Sequence, residues 1–288
     1  MIYISSACFK AKTIKESVAA IAKKRFKNIE LSGGTNYYTD YENDLLSLQE
    51  QYDLNYQVHN YFPPPTKPFI LNLASLNNDI YQQSIQLCKN AIKLSKKLGG
   101  KRYGVHAGFL IDFKPKEAGA KINHRKLADR NEALARFTDA WKEIGDEADG
   151  DVTLYVENNV FSSTNAKTFS GNNLFLLSDY QGYLELKEQV NFNLLLDLAH
   201  LKVSANSLKL DFVSEAKKML PLTNYVHVSD NDGFHDQNKK LEYDSNILNC
   251  LKGFDFQDGT LVIEVYEDLE LVKSSFEILQ NYLRDIDK

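Results

Sequence analysis

The chain of 288 residues carries 34 basic against 39 acidic side chains, a formal charge of −5, and nothing in it resembles the basic stripe of a phosphate-backbone binder, which argues against nucleic acid as a main partner. Hydrophobic residues make up 43%, enough for a sizeable core, yet no apolar stretch approaches the roughly 20 residues of a membrane span, so no membrane is expected. Cys8, Cys88 and Cys250 lie far apart without C-x-x-C spacing, and no basic segment followed by a long apolar run stands near Met1, so reduced thiols in a cytoplasmic protein are the expectation.

Strand-like and helix-like segments alternate along the chain. IYISS at 2–6 is followed by a helix over 13–26, with Thr13 and Glu16 spaced as a capping box. KNIELSGG, a helix near 41–52 and NYQVHN at 55–60 come next. A helix over 77–98 places Ile80, Ser84, Leu87, Ala91, Leu94 and Leu98 on one face and stops at Gly99 and Gly100, before the strand RYGVHAG. Helices near 126–148, 174–188 and 207–219 precede the strands VTLYVEN, NFNLLLDLAH and NYVHVSD. A short helix near 244–252, the strand TLVIEVYE and a helix near 268–284 complete eight units, the count of a single (β/α)8 barrel over residues 1–288. An open doubly wound sheet fits less well, because the turn ACFKAK after the first strand has no glycine for a nucleotide. The proline run YFPPPTKPF is expected to wall the barrel mouth, and insertions at 108–125 and 158–173 are candidate lids.

Glu157, Asp197, His227 and Glu264 each stand where an apolar strand meets a polar turn, about 30 to 40 residues apart. Separate strands of a closed sheet bring such residues to one end, where barrel enzymes keep their chemistry, and a buried carboxylate there needs a cation or donors to offset desolvation. The spacing therefore predicts one metal site, with solvent-facing acids at the rim as the bland alternative. His59, His106, His200 and His235 also fall in or just after strands, whereas His124 lies in a basic loop segment; each could equally be a hydrogen-bonded core or rim histidine. Three carboxylates and an imidazole suit one divalent ion, Mn²⁺ first, with Mg²⁺, Co²⁺ or Zn²⁺ as alternatives. An ion there would suit a substrate with adjacent carbonyl and hydroxyl oxygens, polarising the carbonyl and stabilising the enediolate left by proton loss, with Glu157 and Glu264 as proton carriers and His200 orienting a hydroxyl or shuttling a proton. His59, His106, Glu30, Asp230 and His235 are the substrate-contact candidates, and Tyr61, Phe62, Phe109 and Phe161 fall near the mouth, where aromatic faces could pack on a ligand's C–H groups.

In their order, IELSGG, VHNYFPP, YGVHAG, YVENN, LLLDLAH, VHVSDNDG and VIEVYE resemble the xylose isomerase-like TIM barrels, over nearly the whole chain. That superfamily includes sugar-phosphate isomerases and epimerases and the endonuclease IV type of DNA repair enzyme. The resemblance implies a metal-dependent sugar or sugar-phosphate isomerase or epimerase with Glu157, Asp197, His227 and Glu264 as ligands. It leaves an endonuclease IV-type phosphodiester hydrolase, a dehydratase and a non-catalytic carbohydrate-binding barrel as alternatives. In the repair enzymes the matches of His59 and His106 bind additional zinc, and an Asp-x-His pair follows strand seven; here that pair reads Asp236-Gln237-Asn238, which puts a three-zinc site in doubt. The implied partner is a small carbohydrate, and a homo-oligomer is compatible with everything in the sequence.

Overall fold

The computed structural model describes residues 1–286. Eight parallel strands close into a barrel in chain order, with β1 paired to both β2 and β8. They are β1 (Ile2–Ser5), β2 (Asn28–Leu31), β3 (Asn55–His59), β4 (Arg102–His106), β5 (Thr153–Glu157), β6 (Asn193–Asp197), β7 (Thr223–Val228) and β8 (Thr260–Ile263). The helices are α1 (Ile14–Lys23), α2 (Tyr41–Tyr52), α3 (Asn78–Leu98), α4 (Arg130–Ala148), α5 (Ser163–Thr168), α6 (Tyr180–Gln189), α7 (Leu198–Leu208), α8 (Phe212–Met219), α9 (Asn246–Cys250) and α10 (Leu269–Ile286). This is the (β/α)8 barrel that the alternation predicts.

Local signals set the helix ends. Thr13 accepts from Glu16 N while Glu16 accepts from Thr13 N, the reciprocal capping box expected for α1. Asn77 caps α3, and Gly99 closes it with φ of 76°, where a Cβ would be strained.

Four expectations change. The helix expected over 174–188 begins at Tyr180, because Asp179 accepts from Gly182 N and caps it there, while Leu174–Leu177 form a buried extended run. The helix expected over 207–219 is α8, which begins only at Phe212, where Asp211 accepts from Ser214 N, and the unexpected α7 precedes it. LAH is not the tail of a strand: Asp197 accepts from His200 N at 2.7 Å and caps α7 directly after β6, so His200 sits on a helix's first turn. Of the proline run, Pro63–Pro65 line an outer groove against α3, and only the preceding Tyr61 reaches the mouth.

The main core lies between strands and helices, and a second, smaller one lies under the insertions, built from Ile70, Phe109, Ile122, Phe161, Leu174 and Phe175. Inside the barrel Tyr155, Leu195, Tyr225 and Val262 form a separate layer. Each stands two positions before Glu157, Asp197, His227 or Glu264, and residues two apart on a strand share a face, so this layer supports the four site residues from below. Gly104 leaves room for it: a Cβ there would come within 2.5 Å of Leu195 Cδ1.

Candidate metal centre

The C-terminal ends of β2, β3 and β5–β8 bring Glu30, His59, Glu157, Asp197, His227 and Glu264 together, none more than 5% exposed. His227 is central. Its Nδ1 lies 3.4 Å from Glu157 Oε1 and 3.5 Å from Glu264 Oε2, and its Nε2 lies 3.0 Å from Glu30 Oε1. Around Glu157, His59 Nε2 donates to Oε2 at 2.8 Å, while His106 Nδ1 stands 3.3 Å from the same oxygen. His200 donates from Nδ1 to the Asn158 carbonyl at 2.9 Å, which leaves Nε2 facing Asp236 Oδ2 at 3.7 Å.

The clearest sign of function is what these groups lack. Glu157 Oε1, Asp197 Oδ2, His227 Nδ1 and Glu264 Oε1 are buried side-chain atoms without a hydrogen-bond partner. Buried polar atoms are otherwise almost always satisfied, and one left alone costs about 1–3 kcal/mol. Among the described residues no lysine or arginine pairs with these acids. Three carboxylates and one imidazole, short of partners, are residue types that could hold a divalent cation. Glu157, Asp197 and His227 offer ligand atoms within 4.8 Å of one another, as do Glu30, His59, His227 and Glu264, and His106, Glu157 and His200.

Ionisation follows the same crowding. Burial opposes charge on Glu157, but the imidazoles of His106 and His59 override it and hold its carboxyl well below the usual range. Burial likewise acts against Glu264, and His227 brings it down to about 2. Asp197 is pushed up to about 6 by burial, against the pull of His200. His106 is driven down to about 4 by burial, whereas His227 overcomes burial through Glu30 and Glu264 and is raised well above its ordinary value. A cation bound among these groups would take over the role that protonated imidazoles play here.

The other candidates separate by position. Glu30 lies beneath the site and off the cavity wall: it is fully buried and accepts from Gln57 Nε2 at 2.8 Å and from the Tyr225 hydroxyl. Asp230 is bound by Lys202 at 2.6 Å and by Ser245 at 2.7 Å, away from the mouth. His235 is on the rim, 55% exposed and paired with Asp232. Phe62 and Phe161 are core residues, while Tyr61 and Phe109 line cavities.

Three residues escaped the sequence reading. Gln57 and Tyr225 hold Glu30, and the strand's period of two was the signal, since they precede His59 and His227 on the same face. Asn158, directly after Glu157, accepts from Asp197 N, donates to Asp197 O and accepts from His200 Nδ1, fixing both side chains' supports.

Above the cluster opens a cavity of about 600 Å³, reached by His59, His106, Glu157, His200, Glu264 and Tyr266. A second lobe of about 200 Å³ runs off it under the 108–125 insertion and shares Tyr61, His106, Ala118, His200 and Asp236 with it. Within the insertion, Glu117 is bound by Arg125 through both oxygens at 2.7 and 3.0 Å, which ties its two limbs together.

A closed parallel barrel with a carboxylate–histidine cluster at its C-terminal mouth defines a (β/α)8 protein whose buried cluster could bind a divalent metal. Residues 18–282 match the family described as Xylose isomerase-like TIM barrel, and the chain belongs to that family. A search of curated proteins returned no match. Among solved structures, a D-tagatose 3-epimerase-like protein is 22% identical with a TM-score of 0.73, covering 99% of this chain and 98% of its own. D-psicose 3-epimerase from Clostridium cellulolyticum H10, solved with D-tagatose, is 16% identical with a TM-score of 0.63 over 99% of this chain and 98% of its own. Endonuclease IV from Thermus thermophilus is 13% identical with a TM-score of 0.61 over 99% of both chains. Identities this low establish a shared fold.

Proposed function

We propose that the protein is a metal-dependent sugar epimerase or isomerase, working as one catalytic domain on a small carbohydrate in the cytoplasm. The observation that carries this reading is the convergence of unpartnered buried atoms from Glu157, Asp197, His227 and Glu264 under an open cavity. The sugar 3-epimerases among the structural neighbours support the choice of substrate class. The four residues would hold one divalent ion, Mn²⁺ being the first choice for so oxygen-rich a set. When bound, the ion supplies Lewis acidity toward a sugar carbonyl and its neighbouring hydroxyl.

The proton chemistry falls to Glu157 and Glu264. A carboxylate is an effective base only when held against the proton with water excluded, and these two are 0% and 4% exposed. They come from strands three apart around the ring and flank His227. One removes the proton beside the carbonyl and the other returns it to the opposite face, which inverts that carbon; return at the neighbouring carbon interconverts aldose and ketose. His200, its Nδ1 committed to Asn158, presents Nε2 to a substrate hydroxyl. His59 and His106 border the same cavity and orient the sugar.

One observation favours a second reading, phosphodiester hydrolysis. His59 and His106 both face Glu157 Oε2, so they could hold a further ion. Against it, Lys10 is the one lysine or arginine among the described residues of the mouth, and Asn238 and Asp236 stand where the repair enzymes' Asp-x-His pair would complete a third set. Elemental analysis of protein purified without chelator decides. About one ion per chain, with deuterium entering a ketose or aldose from D₂O, supports the epimerase; two or three zinc ions support the hydrolase, and no metal overturns both.

A further inference from the structure

The side lobe off the mouth is unlike the mouth itself. Phe109, Phe113, Ile122, Val160 and Phe175 supply its apolar wall. Phe109 meets Phe113 at 5.2 Å and Phe175 edge-on at 5.5 Å between ring centroids, a preformed aromatic corner backed by the second core. Beside that apolar wall Glu117 and Asn165 are already engaged, whereas the unpartnered atoms, His106 Nδ1 and Asp236 Oδ1, belong to residues the lobe shares with the mouth. Glu117 is bound by Arg125, by Asn123 N and Nδ2 and by Lys114 N. Asn165 accepts from Ile122 N and donates to Ala120 O. A second sugar ring would bring hydroxyls to a wall with few free partners, which is costly. An aromatic ring would lose water and keep nothing unpaired. The size fits as well, since an apolar cavity of about 150 Å³ takes a benzene ring and this lobe holds about 200 Å³.

We infer that the substrate is a keto-glycoside, its carbonyl on a ring carbon away from the glycosidic bond, carrying a compact aromatic aglycone, with the keto-sugar ring over the carboxylate–histidine cluster and the aromatic ring in the lobe lined by Phe109, Phe113 and Phe175. The inference rests on the epimerase reading for the sugar half and stands on its own geometry for the aromatic half. His106 and His200, shared by both lobes, mark the junction where the glycosidic oxygen would lie. His235, Lys121 and Thr164 at the outer part of the lobe leave room for a polar substituent on the ring.

The test uses 4-fluorophenol and the whole protein, followed by ¹⁹F line broadening. The expected result is saturable binding that weakens at least tenfold in Val160→Trp, which fills the lobe, and at least fivefold in Phe113→Ala, which opens it. Binding should persist in Glu264→Gln, so the measurement does not depend on turnover. Absence of saturable binding, or binding that both lobe variants leave unchanged, overturns the inference. A second arm compares kcat/KM, read by deuterium entry from D₂O, for a 4-fluorophenyl glycoside bearing a ring ketone and for the corresponding free keto-sugar. The aryl glycoside should lead by at least tenfold, and Val160→Trp should collapse that ratio; a free sugar turned over as well as its aryl glycoside overturns the inference while leaving the epimerase reading intact. Fluorophenol binding without any metal or sugar turnover would instead sink the epimerase reading alone.

Discussion

At the N-terminal end of the barrel Arg102 donates to the Tyr155 hydroxyl at 2.6 Å and to Asn224 at 2.9 Å, and Tyr155 donates to Asn224 at 3.0 Å. At the C-terminal end of the barrel, Glu157, Asp197, His227 and Glu264 bury atoms that have no partner. One end closes its hydrogen bonds within the protein and the other leaves them open for something else. Removing a group from the closed end should therefore cost stability without touching ligand binding, and removing one from the open end should do the reverse.

The largest effect is expected from the open end. Glu157→Gln should abolish metal retention and lower turnover on the order of 10³-fold, read by elemental analysis and solvent deuterium exchange. Asp197→Asn should also lose the metal, yet its amide oxygen still caps α7, and removing a buried charge relieves crowding. The thermal midpoint of that variant, measured with chelator, should equal or exceed that of chelated wild type; a clear fall would mean that the acids serve stability. Next comes Glu30, whose Oε1 sits 3.0 Å from His227 Nε2 and whose expected role is to position that imidazole. A carboxylate on the far nitrogen of a ligating imidazole fixes its tautomer and orientation, and loss of such a partner costs about 10–100-fold in metal affinity. Glu30→Gln should show that loss by competition with a chelator, together with a changed Co²⁺ absorption spectrum. An unaltered spectrum would reduce Glu30 to packing.

Much of this was legible in the sequence, for a physical reason. Strands buried on both faces read as unbroken apolar runs, and a charged residue ending such a run is conspicuous because burial there is expensive. That is how Glu157, Asp197, His227 and Glu264 stood out. What stayed hidden depends on direction or long-range contact. LLLDLAH reads as one strand because nothing apolar marks the turn; only the bond from His200 N to Asp197 shows that a helix begins there. Glu30 looks like a rim acid until Gln57 and Tyr225 are seen to draw it down into the barrel. The second core under the insertions gathers Ile70 with Phe109, Phe161 and Phe175, residues too far apart in sequence for any periodicity to join.

The closed end supplies the next prediction. Arg102→Ala should lower stability by about 1–2 kcal/mol, measured by urea denaturation, while metal content stays at the wild-type value. Loss of metal in that variant would mean that the two ends are coupled through the Tyr155 and Tyr225 layer between them.

The smallest effect should come from the 108–125 insertion, which belongs to neither end but follows the rule of the closed one. Hydrogen bonds from Asn123 N and Lys114 N, with Arg125 beside them, hold the Glu117 carboxyl down at about 2. A carboxyl depressed in the folded state stabilises it above the unfolded value of about 4.3, and that contribution is lost as pH falls from there toward 2. Glu117→Gln should weaken the anchor at neutral pH by about 1–2 kcal/mol and speed proteolytic cleavage between residues 112 and 125. In wild type the same cleavage should rise only below about pH 4, read with an acid protease at fixed ionic strength. Because Glu117 is saturated by protein donors, its loss should leave metal affinity where it was. A drop in metal affinity would place the insertion in the site's own support.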